Sequence, residues 1–379
     1  MNAFMRDWGW PVTCGVLLAL VLLQYYPEPL GMPASAPNLS VAPTPDINGN
    51  GQSSYRLAVQ RAAPAVANVY TTRRTTDVTG APLLRNPATG DYNGALPPPA
   101  QRDTSLGSAV ILSPDGYLLT NNHVIAGAEQ ILVALRDGRE AMAELVGTDP
   151  ETDLAVLKVE LDNLPSVSIS SAEQQAIGDV VLAIGNPFGL GQTVTMGIVS
   201  ATGRNQLGLN TYEDFIQTDA AINQGNSGGA LIDTAGNLIG INTAIFSQSG
   251  GSQGIGFAIP VQLATEVMQA IIEHGRVVRG WLGVEVQPLT ADLAEAFQVA
   301  PGSGLVISGL YREGPAWQAG LKPGDVILRI DGETAVAGRQ AMNQVARARP
   351  GDTVTIEVLR DGKLLSVEAA VGVRPNFKR

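Results

Sequence analysis

The sequence predicts a mainly β protein. It has an all-β barrel or sandwich domain over residues 54–275, a smaller α+β module over residues 279–373, and an N-terminal apolar helix. Three observations predict this architecture. Short apolar runs of strand length alternate with Gly and Asp turns from Tyr55 to Pro260, as in barrels and sandwiches. The later module of about ninety residues mixes strand and helix patterns, and an uncharged run of 19 residues lies near the N-terminus.

The uncharged run covers residues 8–26 and would span roughly 28 Å as a helix, about one hydrocarbon core. Arg6 precedes it and Glu28 follows it, which favours a cytoplasmic N-terminus and an exported remainder. We therefore predict an uncleaved transmembrane anchor. A signal peptide cleaved at the A-x-A site of residues 34–36 is the alternative.

Two segments lack any regular pattern. Residues 27–53 are rich in Pro, Ser, Asn and Gly, which predicts a flexible linker. Residues 74–104 are dense in Pro, Gly, Asn and Thr, which predicts a mobile surface loop. The first long helical pattern, VQLATEVMQAIIEHG, closes the first domain with a stop at Gly275. Its apolar stripe consists of Val261, Ala264, Val267, Met268 and Ile271.

Composition excludes several classes of partner. The net charge of -11 and the pI near 4.7 argue against nucleic-acid binding, which requires clustered Lys and Arg. The single cysteine, Cys14, cannot form an intrachain disulfide. With only two histidines, no Cys/His metal-ligand spacing can be assembled, so no metal site is predicted.

The stretch INQGNSGGALID over residues 222–233 places Ser227 between glycines. A tight turn is one interpretation, because Gly and Asn tolerate positive φ. The other is a nucleophile whose small neighbours let backbone N–H groups approach a developing oxyanion.

A nucleophilic serine needs a base and a carboxylate. His274 ends the closing helix, where a histidine more often answers the helix dipole. His123 directly follows an apolar strand and is the predicted base, although a lone histidine is more often structural. Asp149 precedes proline like a turn residue, whereas Asp153 opens the run LAVLKV, where it can be held rigidly. We predict a triad of His123, Asp153 and Ser227, in the chain order of the two-barrel serine proteases.

These residues carry a family resemblance. TNNHVI, DLAVLK and GNSGGALID resemble the HtrA (DegP/DegS) serine proteases, and RGWLGV with AGLKPGDVILRIDG resembles their PDZ domain. An anchor followed by one PDZ domain is most similar to the DegS/AlgW branch. The resemblance implies two packed six-stranded chymotrypsin-like barrels with the triad between them, and no cofactor.

The resemblance also implies a cellular location, an assembly and a physiological role. The chain would be a single-pass inner-membrane protein with its protease and PDZ domains in the periplasm, and a homotrimer. C-termini of unassembled outer-membrane proteins would activate it to cut a membrane-spanning anti-sigma factor. Arg204 in SATGR matches the family's regulatory arginine. The alternatives are broad degradation of misfolded envelope proteins, and a peptide-binding chaperone or adaptor with an idle serine site.

In this architecture the backbone N–H groups of Gly225 and Ser227 form the oxyanion hole. Glycine at 225 also allows the preceding peptide to flip, so the loop could switch between collapsed and active forms. The predicted S1 pocket is small and apolar and would accept Val or Ala. Its expected wall residues are Ala221, Asn242, Thr243 and Ala244.

PDZ domains add a C-terminal peptide as a strand and hold its carboxylate with backbone N–H groups. The predicted carboxylate loop is Trp281-Leu282-Gly283-Val284, continuing into the edge strand through Glu285 and Val286. Met342 and Val345 on a following helix either line the side-chain pocket or fill the core of the module.

Overall fold

The computed structural model describes residues 54–75, 83–85, 92–95, 101–171, 175–186, 191–205, 207–245, 251–297, 299–300 and 302–375, together with Leu17. The predicted anchor and linker, residues 8–26 and 27–53, lie outside these ranges apart from Leu17. Within the described ranges, no helix is long and apolar enough to span a bilayer.

The described helices are mostly short. They are α1 (Arg56–Ala62), α2 (Asn122–Ile125), α3 (Val261–His274), α4 (Ala291–Phe297), α5 (Pro315–Gln318) and α6 (Gly338–Arg347), with a 3-10 turn over Ala63–Ala65. The first strands are β1 (Val66–Thr75), β2 (Leu83–Arg85), β3 (Tyr92–Ala95), β4 (Gln101–Ile111), β5 (Tyr117–Asn121), β6 (Gln130–Ala134), β7 (Glu140–Met142), β8 (Glu144–Asp149) and β9 (Leu154–Lys158). The next six are β10 (Val180–Gly185), β11 (Thr193–Arg204), β12 (Phe215–Thr218), β13 (Ala230–Ile232), β14 (Leu238–Ile245) and β15 (Gly256–Pro260). The last eight are β16 (Gly280–Trp281), β17 (Val284–Pro288), β18 (Leu305–Leu310), β19 (Val326–Ile330), β20 (Glu333–Thr334), β21 (Thr353–Arg360), β22 (Lys363–Ala370) and β23 (Gly372–Val373).

The first sheet has seven strands in the order β7-β6-β1-β4-β5-β9-β8, so the predicted count of six is wrong for it. The outermost strands β7 and β8 follow each other in the chain with only Ala143 between them, which brings the two ends of the sheet together. The expected sixth strand is therefore bent at Ala143 and divided in two. Both faces of this sheet are covered, since the consecutive residues Leu118 and Leu119 of β5 are both fully buried.

The second sheet is a closed barrel of six strands, as predicted, in the order β10-β11-β12-β15-β14-β13. The predicted stripe of α3 is confirmed, since all five of its residues are buried. The helix ends at Gly275, whose φ of 70° a glycine adopts without strain. Ile271 of α3 packs against Gly147 of β8, so the helix also contacts the first barrel.

The C-terminal module is an α+β fold with its own core. Its sheet runs β17-β18-β19-β21-β22, with β20 paired to β19, and β16 pairs separately with β23. The buried face of α6, Ala341 and Val345, packs into this core. Because β17 is at the edge of the sheet, its free side can accept another strand.

The loop prediction for residues 74–104 is wrong in part. The β1–β4 ladder continues through Arg74↔Arg102 to Thr75↔Gln101, and β2 pairs with β3 within the segment. A long antiparallel pair can extend beyond its barrel because each rung satisfies its own backbone groups, whatever the Pro and Gly content between the strands.

Candidate active site

The first barrel brings His123 and Asp153 together. Strands β5 and β9 are antiparallel neighbours, with Asn121 opposite Leu154, so the residues just beyond these ends meet. The Asp153 carboxylate contacts the imidazole at 2.7 Å between Oδ2 and Nδ1, and its Oδ1 accepts the His123 backbone N–H at 2.9 Å. An ionised carboxylate only accepts, so Nδ1 carries the proton and Nε2 has a free lone pair. The ring is held in the orientation that a general base requires.

Asp153 has the left-handed φ of 61°, which Asp tolerates better than most residues. Its backbone carbonyl accepts the N–H of Asn122 at 3.1 Å and the Asn121 side-chain amide at 3.0 Å. The aspartate is therefore fixed through both its backbone and its side chain. Its side chain is 13% exposed, against 50% for His123, so the carboxylate lies beneath an accessible imidazole.

The second barrel contributes Ser227 and Thr243. The Ser227 hydroxyl donates to the Thr243 carbonyl at 3.1 Å, and the Thr243 hydroxyl donates to Asp153 Oδ2 at 3.0 Å. Thr243 thereby joins the serine to the aspartate across the barrel junction. The imidazole and the carboxylate are thus in direct contact, and the serine is linked to them through Thr243 with its proton directed at a carbonyl. Sequence reasoning missed this role of Thr243.

The loop before Ser227 carries two available N–H groups. Among the described residues, the amides of Gly225 and Ser227 donate to no protein acceptor, whereas Asn226 N–H donates to Asn223 O at 2.9 Å. Gly225 has φ 99°, a conformation that suits glycine. Gly228 must lack a side chain, because a Cβ there would lie 2.0 Å from the Ser108 carbonyl oxygen. This arrangement can offer two donors to an oxyanion.

The residues of the predicted S1 wall differ in burial and in their hydrogen-bond partners. Ala221 is half-buried, and its carbonyl accepts the Thr195 hydroxyl at 2.8 Å. Asn242 is fully buried and donates to the Ala230 carbonyl at 3.0 Å, so it ties strands together instead of facing a substrate. The hydroxyl of Thr243 is likewise directed at Asp153. The β14–β15 ladder has a bulge between Asn242 and Ala244, so Thr243 is the extra residue and has no direct partner on β15. Ala244 lies on β14, and its side chain is outside the described part.

A groove lies between β17 and α6. It has a volume of about 160 Å³ and a mainly apolar lining. The lining includes the predicted residues Trp281, Leu282, Gly283, Val284, Val286, Met342 and Val345. The Gly283 carbonyl accepts the Tyr311 N–H at 2.9 Å, and Trp281 contacts the Tyr311 ring edge-on at 5.2 Å between centroids.

Three of the predicted PDZ residues lie in different positions relative to the groove and the core of the module. Val345 is buried on α6 and belongs to both, whereas Met342 is half-buried at the rim. Glu285 is exposed and its carboxylate lies beside Gly309 of β18, so any contact of this residue with an added strand would be through its backbone. Alternation along β17 explains why Val284 and Val286 face the groove and Glu285 does not.

Two of the groove residues that were not predicted carry polar groups. Tyr212 comes from the first domain and Arg374 from beyond β23, and the Arg374 guanidinium donates to the Tyr212 hydroxyl at 2.6 Å. Arg374 also lies 3.3 Å from Glu151. Tyr212 and Arg374 are 162 residues apart, so no local pattern in the sequence could have predicted their contact.

Asp149, the rejected candidate for the triad, has a different partner. It forms a buried ion pair with Arg279, whose two terminal nitrogens contact both of its oxygens. Arg279 also lies 3.2 Å from Glu151, and its guanidinium lies 4.4 Å from the centre of the Tyr212 ring. Burial disfavours the charged guanidinium, but the hydrogen bonds that it donates to Asp149 and the charges of Asp149 and Glu151 together outweigh burial and raise the pKa of Arg279. This pair connects the two domains.

Arg204, the predicted regulatory residue, and His274, the rejected base, have partners outside the triad. Exposed Arg204 on β11 donates to the Gln217 side chain at 2.9 Å. His274 is exposed at the end of α3 and lies 3.8 Å from Glu273. In the described ranges no group of three or more His, Cys, Asp or Glu residues is placed to hold a metal ion.

Comparison with known proteins agrees with this geometry. Residues 107–241 match the trypsin-like peptidase domain, and residues 280–371 match the PDZ domain. Serine endoprotease DegS of Escherichia coli strain K12 is 42% identical, over 96% of this chain and 97% of DegS. A probable periplasmic serine endoprotease DegP-like of Halomonas elongata is 43% identical, over 86% of this chain and 72% of its own.

Solved structures extend the match. The HtrA-type protease AlgW with tripeptide is 63% identical with a TM-score of 0.73, over 85% of this chain and 98% of that one. The serine endoprotease from Yersinia pestis is 44% identical with a TM-score of 0.62, over 86% of this chain and 100% of that one. A trypsin-like domain, one PDZ domain and relatives of this identity over nearly the whole length show that the chain belongs to the HtrA family of serine endoproteases, in its DegS/AlgW branch.

Proposed function

We propose that this protein is a periplasmic serine endopeptidase that is activated by C-terminal peptides and makes a regulatory cut in an anti-sigma factor. One observation carries the proposal. The same chain holds a carboxylate–imidazole pair beside a serine at the barrel junction and an apolar groove along a free sheet edge. A catalytic site and a peptide sensor are thus joined in one molecule.

In the proposed mechanism the Ser227 hydroxyl turns from the Thr243 carbonyl to His123 Nε2 and attacks the scissile carbonyl carbon. His123 takes the hydroxyl proton and returns it to the leaving amine, while Asp153 holds Nδ1–H and stabilises the imidazolium. Water then hydrolyses the acyl-enzyme by the same route in reverse. The amides of Gly225 and Ser227 bind the oxyanion, and losing one such donor costs a factor of about 10² to 10³ in turnover.

We propose that the groove controls this site. Met342 and Arg374 line the groove, and Arg374 contacts both Tyr212 and Glu151 of the first domain. Glu151 is two residues before Asp153, so a peptide that moves the groove wall also acts on the chain next to the triad. Arg204 is proposed to act in the same control, from the β11 strand that precedes the Tyr212 loop.

The substrate preference is proposed from two of the predicted S1 positions. Ala221 and the Ala244 position contain no charge, so a small apolar residue such as Val or Ala is expected before the cleaved bond. Efficient cleavage after Arg or Lys in a peptide library would contradict this expectation.

The location is proposed from the relatives, and the assembly from the family resemblance. The DegP-like relative of Halomonas elongata is described as periplasmic, and AlgW has been solved with a tripeptide. We extend this to a periplasmic enzyme tethered to the inner membrane by residues 8–26 and linked by residues 27–53. A homotrimer is proposed for the assembly, and unassembled outer-membrane proteins are proposed as the source of the peptides.

The test uses the full chain in detergent with two substrates, β-casein and the periplasmic domain of a single-pass anti-sigma factor. Each is incubated without peptide, with a decapeptide ending in Phe, and with the same decapeptide amidated at its C-terminus. We expect one cut in the anti-sigma domain only with the free carboxylate, and none with Ser227→Ala.

Other results would identify the alternatives. Casein degradation that does not depend on peptide would favour general quality control, which the 43% identity to a DegP-like relative supports. Peptide binding with no cleavage of either substrate would favour a chaperone or adaptor.

A further inference from the structure

Ser108 on β4 has no role in the mechanism above, yet it contacts the loop that carries the oxyanion donors. It is fully buried. Its hydroxyl donates to the Gly225 carbonyl at 2.7 Å and accepts the Asn186 backbone N–H at 3.0 Å. Its own backbone N–H donates to the Ser227 carbonyl at 2.9 Å.

The direction of the Ser108 proton follows from these contacts. A hydroxyl has one proton, and the Asn186 N–H occupies one of its lone pairs. The proton is therefore available to the Gly225 carbonyl, the acceptor at 2.7 Å. Asn186 directly follows β10, so a single buried hydroxyl joins the first barrel, the end of β10 and the loop before Ser227.

The Gly225–Asn226 peptide is consequently held at both of its polar groups. Its carbonyl accepts from Ser108, and its N–H donates to the Asn223 carbonyl at 2.9 Å. The two flanking peptides carry the Gly225 and Ser227 N–H groups that meet no acceptor in the described part of the chain. Fixing the middle peptide fixes the direction of both donors, since glycine at 225 would otherwise leave φ free.

We propose that Ser108 is a positioning residue for the oxyanion hole: its hydroxyl orients the Gly225–Asn226 peptide so that the Gly225 and Ser227 amides converge. This inference rests on the proposed function, because it assumes that these amides bind the oxyanion. Ser108 touches no reacting atom. Its loss therefore changes the stabilisation of the tetrahedral intermediate and leaves the substrate affinity unchanged.

The test compares Ser108→Ala with wild type in the full chain, using an N-acyl-valine p-nitrophenyl ester in the presence of the Phe-ending decapeptide. We expect kcat to fall about 10- to 100-fold with KM within about twofold, since the donors are misplaced and not removed. Thr120→Val is the matched control. Its buried hydroxyl also makes a 2.7 Å bond to a carbonyl, that of Ser108, and lies beside Gly228 without a hydrogen bond to the Gly225–Asn226 peptide. We expect it to keep kcat within about threefold of wild type.

A transition-state readout separates positioning from general destabilisation. A peptidyl trifluoromethyl ketone forms a hemiketal oxyanion with the serine, so its inhibition constant should rise with Ser108→Ala in proportion to the loss of kcat. An unchanged constant, or an equal loss of kcat with Thr120→Val, would overturn the inference. If Ser227→Ala abolishes turnover while Ser108→Ala retains it, the proposed function stands and this inference fails.

Ser108→Cys keeps the test decisive if the alanine variant does not fold. The thiol fills the site and is a weak donor. We expect the kcat of Ser108→Cys to lie below the values of wild type and Thr120→Val and above the background rate of Ser227→Ala. A kcat equal to that of wild type would contradict the role.

Discussion

The Thr243 hydroxyl donates to Asp153 Oδ2 at 3.0 Å, on the same oxygen that contacts His123 Nδ1. Thr243 belongs to the second barrel and Asp153 to the first, so this bond crosses the barrel junction. It keeps the carboxylate aligned with the imidazole and supplies a second hydrogen-bond donor to the buried oxygen. The Thr243 carbonyl at the same time holds the serine hydroxyl.

Replacing Thr243 by Val removes this bond and keeps the shape of the side chain. A hydrogen bond to a charged group contributes about 1.5–3 kcal/mol, so we expect kcat to fall about 10- to 150-fold with little change in KM. Ester hydrolysis measured in the presence of the decapeptide checks this. Thr265→Val is the control, because its hydroxyl bonds within α3 to the Val261 carbonyl. Equal activity of the two variants would show that Thr243 does not orient the triad.

Met342→Ala should weaken peptide binding. Met342 lines the apolar groove and is half-buried, so its truncation removes contact area with the ligand and costs little folding energy. We expect the Kd of the fluorescent Phe-ending decapeptide to rise about 5- to 30-fold in a polarisation assay, equivalent to about 1–2 kcal/mol.

Glu285→Ala is the matched control for the groove. Glu285 lies on β17 between the groove residues Val284 and Val286, but its carboxylate faces Gly309. Its Kd should stay within about twofold of wild type. A larger loss from Glu285→Ala than from Met342→Ala would place the peptide on the other face of β17.

Arg279→Met should destabilise the chain strongly. Removing one member of a buried pair leaves the other charge unpaired, and Asp149 and Arg279 are 4% and 8% exposed. We expect the free energy of unfolding to fall by about 3 kcal/mol, measured by urea denaturation of the full chain. Arg276→Met, at an exposed position three residues earlier, should change it by less than about 0.5 kcal/mol. A similar small change for Arg279→Met would mean that the pair contributes little to joining the domains.

Tyr212 should make stability depend on alkaline pH. Burial raises the pKa of the Tyr212 phenol above its usual 10, although the charge of Arg374 opposes the shift. The unfolded chain loses this proton first, so the contribution is fully present below pH about 10 and is lost as the pH rises through the raised pKa. The urea midpoint should therefore decline more steeply above pH 10 in wild type than in Tyr212→Phe.

Absorbance at 295 nm gives an independent measurement of the same shift. The difference titration of wild type minus Tyr212→Phe isolates one phenol of the eight in the chain. A midpoint at or below the ordinary value of 10 would contradict the assignment of burial as the cause.

Much of the architecture was predictable from local patterns. The alternating strands and turns indicated a β domain, and the apolar stripe of α3 predicted the face that is buried. The two histidines left few choices for a predicted base, and the position of Asp153 at the start of a buried strand separated it from Asp149 as the predicted carboxylate. The strand and helix predictions succeeded because strand and helix periodicity and turn chemistry act between residues close in sequence.

Only the tertiary structure placed Thr243 on Asp153, Ser108 on Gly225, Arg374 on Tyr212 and Arg279 on Asp149. Each of these contacts joins residues from 90 to 162 positions apart, and each is directional. Sequence by itself determined which residue types were available and on which elements they lie. The packing of two barrels and a third module decided which polar groups face each other, because a buried hydroxyl or charge takes its partner from whatever the fold brings within hydrogen-bonding distance.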